Sequence, residues 1–257
     1  LAAWPAWAAG NAETIEIPGD ANLKLKAVLY RPEGAGPFPA VVGLHNCAGL
    51  NNSSGEIGVR YRDWGQRLAK EGFVVLFPDS NGSRGLGRQC GNLSQRSLRV
   101  DRERVADAAA ARVWLQQQPY VQADRVSLLG WASGGITALW TVRAARTPPD
   151  GKDFRSAVAL YPGCRRLANA AWSARVPTLI LIGRADDQAS ASACQQMVTG
   201  ARGRSARVAH DFDHPNRPLQ MRSGLPFTTD GTGSAHTGTH PPARADALKR
   251  VPDWFRQ

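Results

Sequence analysis

The sequence predicts an α/β domain built on a mostly parallel, doubly wound sheet. Three observations carry this. Residues 40–44, 73–77, 126–129, 157–160 and 178–182 form short runs that are apolar on both faces, as strands covered on both sides must be. Segments of helical length and period lie between those runs. The chain has 257 residues, 42% hydrophobic and 21% charged, which suits one large α/β domain and is short for two.

The elements follow in order. Residues 14–17 and 23–30 read as strands around the turn signal Pro18-Gly19-Asp20. In the second, Leu23, Leu25, Ala27 and Leu29 alternate with Lys24 and Lys26, so one face packs inward and the other meets water. Both suit an antiparallel start at a sheet edge. The spacing predicts a helix over 61–70, closed by Gly72, and another over 100–118, stopped by Pro119. In the latter, Val105, Ala108, Ala109 and Val113 form one stripe, with charges opposite. Further helices are expected over 134–146, 190–199 and 243–255, the last introduced by Pro241-Pro242. Residues 205–209 read as the last strand. The stretch from His214 to Pro242, rich in Pro, Gly, Thr and His without a period, reads as a loop packed near the site. Residues 13–257 are expected to form a single domain after an N-terminal arm, 1–12.

That arm admits two readings. Ala6-Trp7-Ala8 has the small-x-small look of a trimmed export signal, and the alternative is an arm packing on the domain. No apolar run approaches the length needed to span a membrane. The formal net charge is +11 and the pI about 10.2, yet the arginines are scattered. No basic block reads as a nucleic-acid arm, so nucleic acid is not an expected partner. Cys47, Cys90, Cys164 and Cys194 lack C-x-x-C spacing, which argues against zinc. An exported chain would use them as disulfides, giving a periplasmic or secreted location; four free thiols in the cytoplasm is the alternative.

The chemistry concentrates at residues 126–135. A strand runs through Val126-Ser127-Leu128-Leu129 into Gly130-Trp131-Ala132-Ser133-Gly134-Gly135 and then into a helix. That is the context of a nucleophile elbow, G-x-S-x-G, whose small flanking residues permit a strained turn that lifts the central side chain into the site. The centre here is Ala132, which cannot attack anything. Ser133 lies one position along, where its role is to supply a backbone N–H to an oxyanion hole.

This segment resembles the elbow of the dienelactone hydrolase family, in which Ser or Cys stands where Ala132 is. Leu44-His45-Asn46-Cys47-Ala48-Gly49-Leu50 resembles that family's oxyanion loop, with Asn46 and Ala48 in place of glycines. Residues 78–85 resemble its loop after the fourth strand, and His210-Asp211-Phe212-Asp213 its catalytic-histidine segment. The resemblance implies an α/β-hydrolase fold of about eight strands with helices on both faces and no large lid. It implies a nucleophile–histidine–acid triad acting on ester or lactone bonds, without metal or organic cofactor. The acid belongs in Gly183-Arg184-Ala185-Asp186-Asp187, where the family's G-x-x-D pattern selects Asp186 and leaves Asp187 as a helix cap. His210 is the expected base, directly after the last strand, with His214 its rival; His236 and His240 carry no motif. Cys47 and Ser133 would supply the oxyanion N–H groups.

Two readings of Ala132 stay open: a serine or cysteine replaced to make an inactive form, or a natural pseudoenzyme. For the substrate, Arg84 and Trp131 are the candidate contacts. Arg84 either holds a substrate carboxylate or fixes its own loop. The fold also implies the pairings Cys47–Cys90 and Cys164–Cys194, since each pair follows neighbouring strands. The oligomeric state is not legible.

Overall fold

The first two strands form where alternation demands them. β1 (Ala12–Pro18) pairs antiparallel with β2 (Lys24–Tyr30), with Ile17 opposite Leu25 and Ile15 opposite Ala27. Leu25, Ala27 and Leu29 are buried, while Lys24 and Lys26 face water. The computed structural model describes residues 11–91, 96–184, 186, 188–205, 207–214, 228–229, 236–237 and 241–257. Residues 1–10 of the expected arm, Asp187, His240 and most of the loop from His214 to Pro242 lie outside the described residues, and Ala12 already belongs to β1. The chain divides into two compact units, Leu1–Leu128 and Leu129–Gln257.

In the first unit, β3 (Phe38–Leu44) runs parallel to β4 (Val74–Pro78), and β2 pairs antiparallel with the other edge of β4. Every residue of β4 is buried, as its unbroken apolar run requires. α1 (Val59–Lys70) turns Tyr61, Trp64 and Leu68 inward. α2 (Glu103–Gln116) corrects the expected stripe. Its buried residues are Arg104, Val105, Asp107, Ala108, Ala111, Arg112 and Leu115, whereas Val113 is exposed. Periodicity counted only apolar residues, and here three charged side chains share the buried face. They are tolerated there because they are hydrogen-bonded.

β5 (Val121–Trp131) passes from the first unit into the second. There α3 (Ser133–Thr141) ends five residues earlier than the expected 146. The backbone at Arg143 instead bridges to Ala174, and the Ala144 N–H donates to the Ser173 carbonyl at 2.8 Å. β6 (Ala157–Leu160), β7 (Thr178–Gly183) and β8 (Val208–His214) are mutually parallel. Between them lie α4 (Arg165–Asn169), too short to show a period, and α5 (Ala191–Gly200). The Ser190 hydroxyl caps α5 by accepting from the Ala193 N–H at 3.2 Å. The strands β9 (Thr228–Thr229) and β10 (His236–Thr237) pair with each other. α6 (Pro241–Arg256) buries Ala243, Ala247, Val251, Trp254 and Phe255 along one face.

The sheet order is β1-β2-β4-β3-β5-β6-β7-β8, antiparallel only at its β1 and β2 edge among the described pairings. This is the fold class that the sequence predicts. Both expected disulfides are present. Cys47–Cys90 lies in the first unit and Cys164–Cys194 in the second, each with Cα atoms 4.9 Å apart, within the span a disulfide can bridge.

Candidate active site

The loop after β3 is held by hydrogen bonds at nearly every step. The Asn46 N–H donates to the Tyr61 hydroxyl at 2.8 Å. The Ala48 N–H donates to the Asn46 side-chain oxygen at 3.0 Å, and the Gly49 N–H to the Asn46 carbonyl at 3.3 Å. The Cys47 carbonyl accepts from the Gln89 N–H at 2.7 Å and from Asn81 at 3.4 Å. Of the four amides from Asn46 to Gly49, only that of Cys47 meets no acceptor among the described residues. Such an undischarged N–H, on a loop fixed on both sides, suits stabilisation of a developing oxyanion.

A buried charged network underlies this loop. The Arg104 guanidinium, 3% exposed, donates to the His45 carbonyl at 2.5 Å. Burial lowers the Arg104 pKa to about 10, so it stays charged at neutral pH. Burial also pushes the His45 imidazole well below its usual value, and the nearby Arg104 charge reinforces this. The ring is therefore neutral, and its 3.9 Å approach to Asp79 is neither an ion pair nor a hydrogen bond. Burial raises the Asp79 carboxyl, which nevertheless accepts from the Gly82 N–H at 2.9 Å. Motif reading missed Tyr61 and Arg104, which lie on helix faces with no signature of their own, and the part played by Asn81, which lies inside the family-like loop 78–85.

In the second unit the turn after β5 has the backbone expected of a nucleophile elbow. Ala132 sits at φ 50° and ψ −113°, a conformation that L-residues rarely adopt and that clusters at functional sites. Its N–H donates to the Leu160 carbonyl at 3.0 Å, and its carbonyl accepts from the Ile136 N–H at 2.9 Å as α3 begins. A Cβ on Gly130 would stand 2.2 Å from the Gly134 carbonyl oxygen. The small residue two positions before the centre is thus dictated by backbone crowding. Ser133 opens α3, in the turn whose N–H groups have no intrahelical acceptors.

Asp186 follows β7. Its Oδ1 accepts from the Gln188 and Ala189 N–H groups at 3.0 and 2.8 Å, which fixes the carboxylate. Asp186 also lines a cleft of about 600 Å³ with Gly163, Arg165, Arg166, Arg184 and the start of α5. His210 requires a correction of local structure. It lies inside β8, exposed and opposite Ile180, and not in a loop after the strand. The parallel pairing continues because β7 offers ladder partners as far as Gly183, and it is His214 whose backbone pairs there. The structure thus brings His214 to the end of β7 that leads to Asp186.

Of the two readings of Arg84, its bonds are those of a residue that fixes its own loop, and Trp131 is buried. Arg84 directs both terminal nitrogens to Asp107, each at 2.8 Å, and a third bond to the Ser80 carbonyl at 2.9 Å. Asp107 is wholly buried, so the pair is an internal clamp on the loop after β4, leaving the fork committed. Trp131 is 0% exposed. Its indole fills the core and no part of it reaches a solvent-sized visitor.

The pattern of the dienelactone hydrolase family matches residues 25–257. A Bradyrhizobium protein named as a probable 2-oxo-3-(5-oxofuran-2-ylidene)propanoate lactonase is 34% identical over 126 residues, 48% of this chain and 46% of that one. The chain spans about half the length, or less, of the curated relatives it matches. Among solved structures, a Klebsiella pneumoniae protein assigned as a dienelactone hydrolase superposes with a TM-score of 0.74, at 20% identity, over 96% of this chain and 98% of its own. An esterase of Pyrococcus furiosus gives 0.67 at 17% identity, over 96% and 92%. These likenesses in structure speak for the fold, and the family pattern speaks for descent. The chain belongs to the dienelactone hydrolase family.

Proposed function

We propose that this chain is a hydrolase of ester or lactone bonds whose nucleophile position, residue 132, is occupied by alanine. One observation carries the reading. Ala132 holds the strained conformation of a nucleophile elbow, although its methyl group gains nothing from it. With serine there, the base would take the hydroxyl proton and Asp186 would hold the imidazole tautomer. The oxygen would attack the carbonyl, the N–H groups of Cys47 and Ser133 would stabilise the oxyanion, and water would release the acyl group. His210 is the base on the family's H-x-F pattern, while the strand register favours His214.

The test is hydrolysis of a small chromogenic ester, and of a lactone, by Ala132→Ser and Ala132→Cys beside the parent. Turnover in a substituted form alone supports the reading and names the nucleophile. His210→Ala and His214→Ala in that background then identify the base, by a loss on the order of a thousandfold or more. Silence of both forms across neutral and anionic substrates refutes it. The second reading is a binding protein on the same fold with a natural alanine, favoured by the alanine itself. The disulfides suit an extracytoplasmic location for either.

A further inference from the structure

Arg84 is clamped to Asp107, and the cleft beside Asp186 carries other arginines. Arg165 and Arg166 come from the first turn of α4 and Arg184 from the residue after β7. All three are exposed, and all three line the cleft. Against them the described lining offers one carboxylate, Asp186, whose Oδ1 already accepts two backbone N–H groups. Arg165 and Arg184 meet no hydrogen-bond or ion-pair partner among the described residues. The cleft, about 600 Å³, is in the size range of small-molecule sites. Ala132 and Ser133 do not line it, so it is distinct from the elbow.

We propose that the cleft formed by Arg165, Arg166 and Arg184 is a binding site for a small oxyanion, a carboxylate or a phosphate. Guanidinium forks match both bidentately, and a concave wall concentrates their field as a flat basic surface does not. The Cys164–Cys194 bond ties the residue before α4 to α5, and the Asp186 carboxylate is held by the Gln188 and Ala189 N–H groups. A ligand there lies beside the carboxylate assigned to orient the base. The inference does not depend on hydrolysis and is testable in the chain as it stands.

The experiment is calorimetric titration with inorganic phosphate and, separately, with acetate and succinate, each against potassium chloride at matched ionic strength. Saturable binding is expected for at least one oxyanion and not for chloride. Phosphate alone assigns a phosphate site, and the organic acids alone a carboxylate site. Arg165→Gln/Arg184→Gln is expected to weaken binding at least tenfold. Arg102→Gln/Arg146→Gln removes the same charge from exposed positions elsewhere and is expected to leave binding within twofold. Circular dichroism confirms that both variants are folded. Absence of saturable binding by any oxyanion, or equal loss in the two double variants, overturns the proposal. In the latter case the affinity belongs to the net charge of the protein.

Discussion

Replacing Ala132 with glycine inverts the usual rule for glycine substitutions. At most positions alanine to glycine costs about 0.5–1 kcal/mol in chain entropy. The lost methyl of this half-buried residue costs up to about 0.8 kcal/mol more. Against these stands the strain of φ 50° and ψ −113°, on the order of 1–3 kcal/mol for a non-glycine residue in so sparse a region. Glycine adopts that region freely. The balance runs from about 0.8 kcal/mol of destabilisation to about 2.5 kcal/mol of stabilisation, centred near 0.9, and the upper end is equivalent to a rise of roughly 5–10 °C for a chain of this size. Gly130→Ala supplies the contrast. Its new Cβ would stand 2.2 Å from the Gly134 carbonyl oxygen and 2.7 Å from the Gly135 nitrogen. Both are backbone atoms and cannot rotate away, so a loss of about 3 kcal/mol is expected. Calorimetric melting and urea titration of the two variants measure both terms. Destabilisation of Ala132→Gly by 1 kcal/mol or more would refute the claim that this turn stores strain.

Four other outcomes follow, most of them from the first unit. Arg104→Met strips the His45 carbonyl of its buried donor and removes one charge from a buried network, for an expected loss of about 3 kcal/mol in urea unfolding. His45 is held neutral by burial, so the native state resists a proton that the unfolded chain accepts. Its contribution to stability is complete above the ordinary imidazole value of 6.5 and is lost as pH falls below it, by about 1.4 kcal/mol per pH unit. His45→Gln flattens that part of the stability profile, and an unchanged slope contradicts the assignment. Dithiol reduction followed by mass spectrometry is expected to open half-exposed Cys47–Cys90 before buried Cys164–Cys194. Replacing Cys47 and Cys90 with alanine, across a separation of 43 residues, costs about 4 kcal/mol on the chain-entropy account.

The strands and the elbow were legible because each rests on a local rule. Runs apolar on both faces identified the covered strands, and Gly130 and Gly134 marked a turn that only small residues can make. What escaped was set by partners remote in sequence. The buried face of α2 carries Arg104 and Asp107 because His45 and Arg84 wait for them 59 and 23 residues away. A hydrophobic period cannot see a charge that is buried by pairing. The end of β8 escaped for a related reason. A strand's length is decided by the neighbour that continues to offer ladder partners, here β7 as far as Gly183, and nothing in residues 205–214 records that neighbour.

The elbow also separates what makes a site from what uses it. The strain at Ala132 is maintained by packing: the close approach of Gly130 to Gly134, the bond to the Leu160 carbonyl and the start of α3. None of these involves the side chain at position 132. The turn therefore does not depend on the side chain at its centre, and by the same logic serine can be placed there without rebuilding the backbone. An alanine at this position is informative for that reason. A chain that had been released from any need for the geometry would be free to relax it, and the simplest relaxation, a glycine at the centre, is one substitution away. Strain at a centre that holds alanine is what makes the activity of Ala132→Ser the decisive comparison.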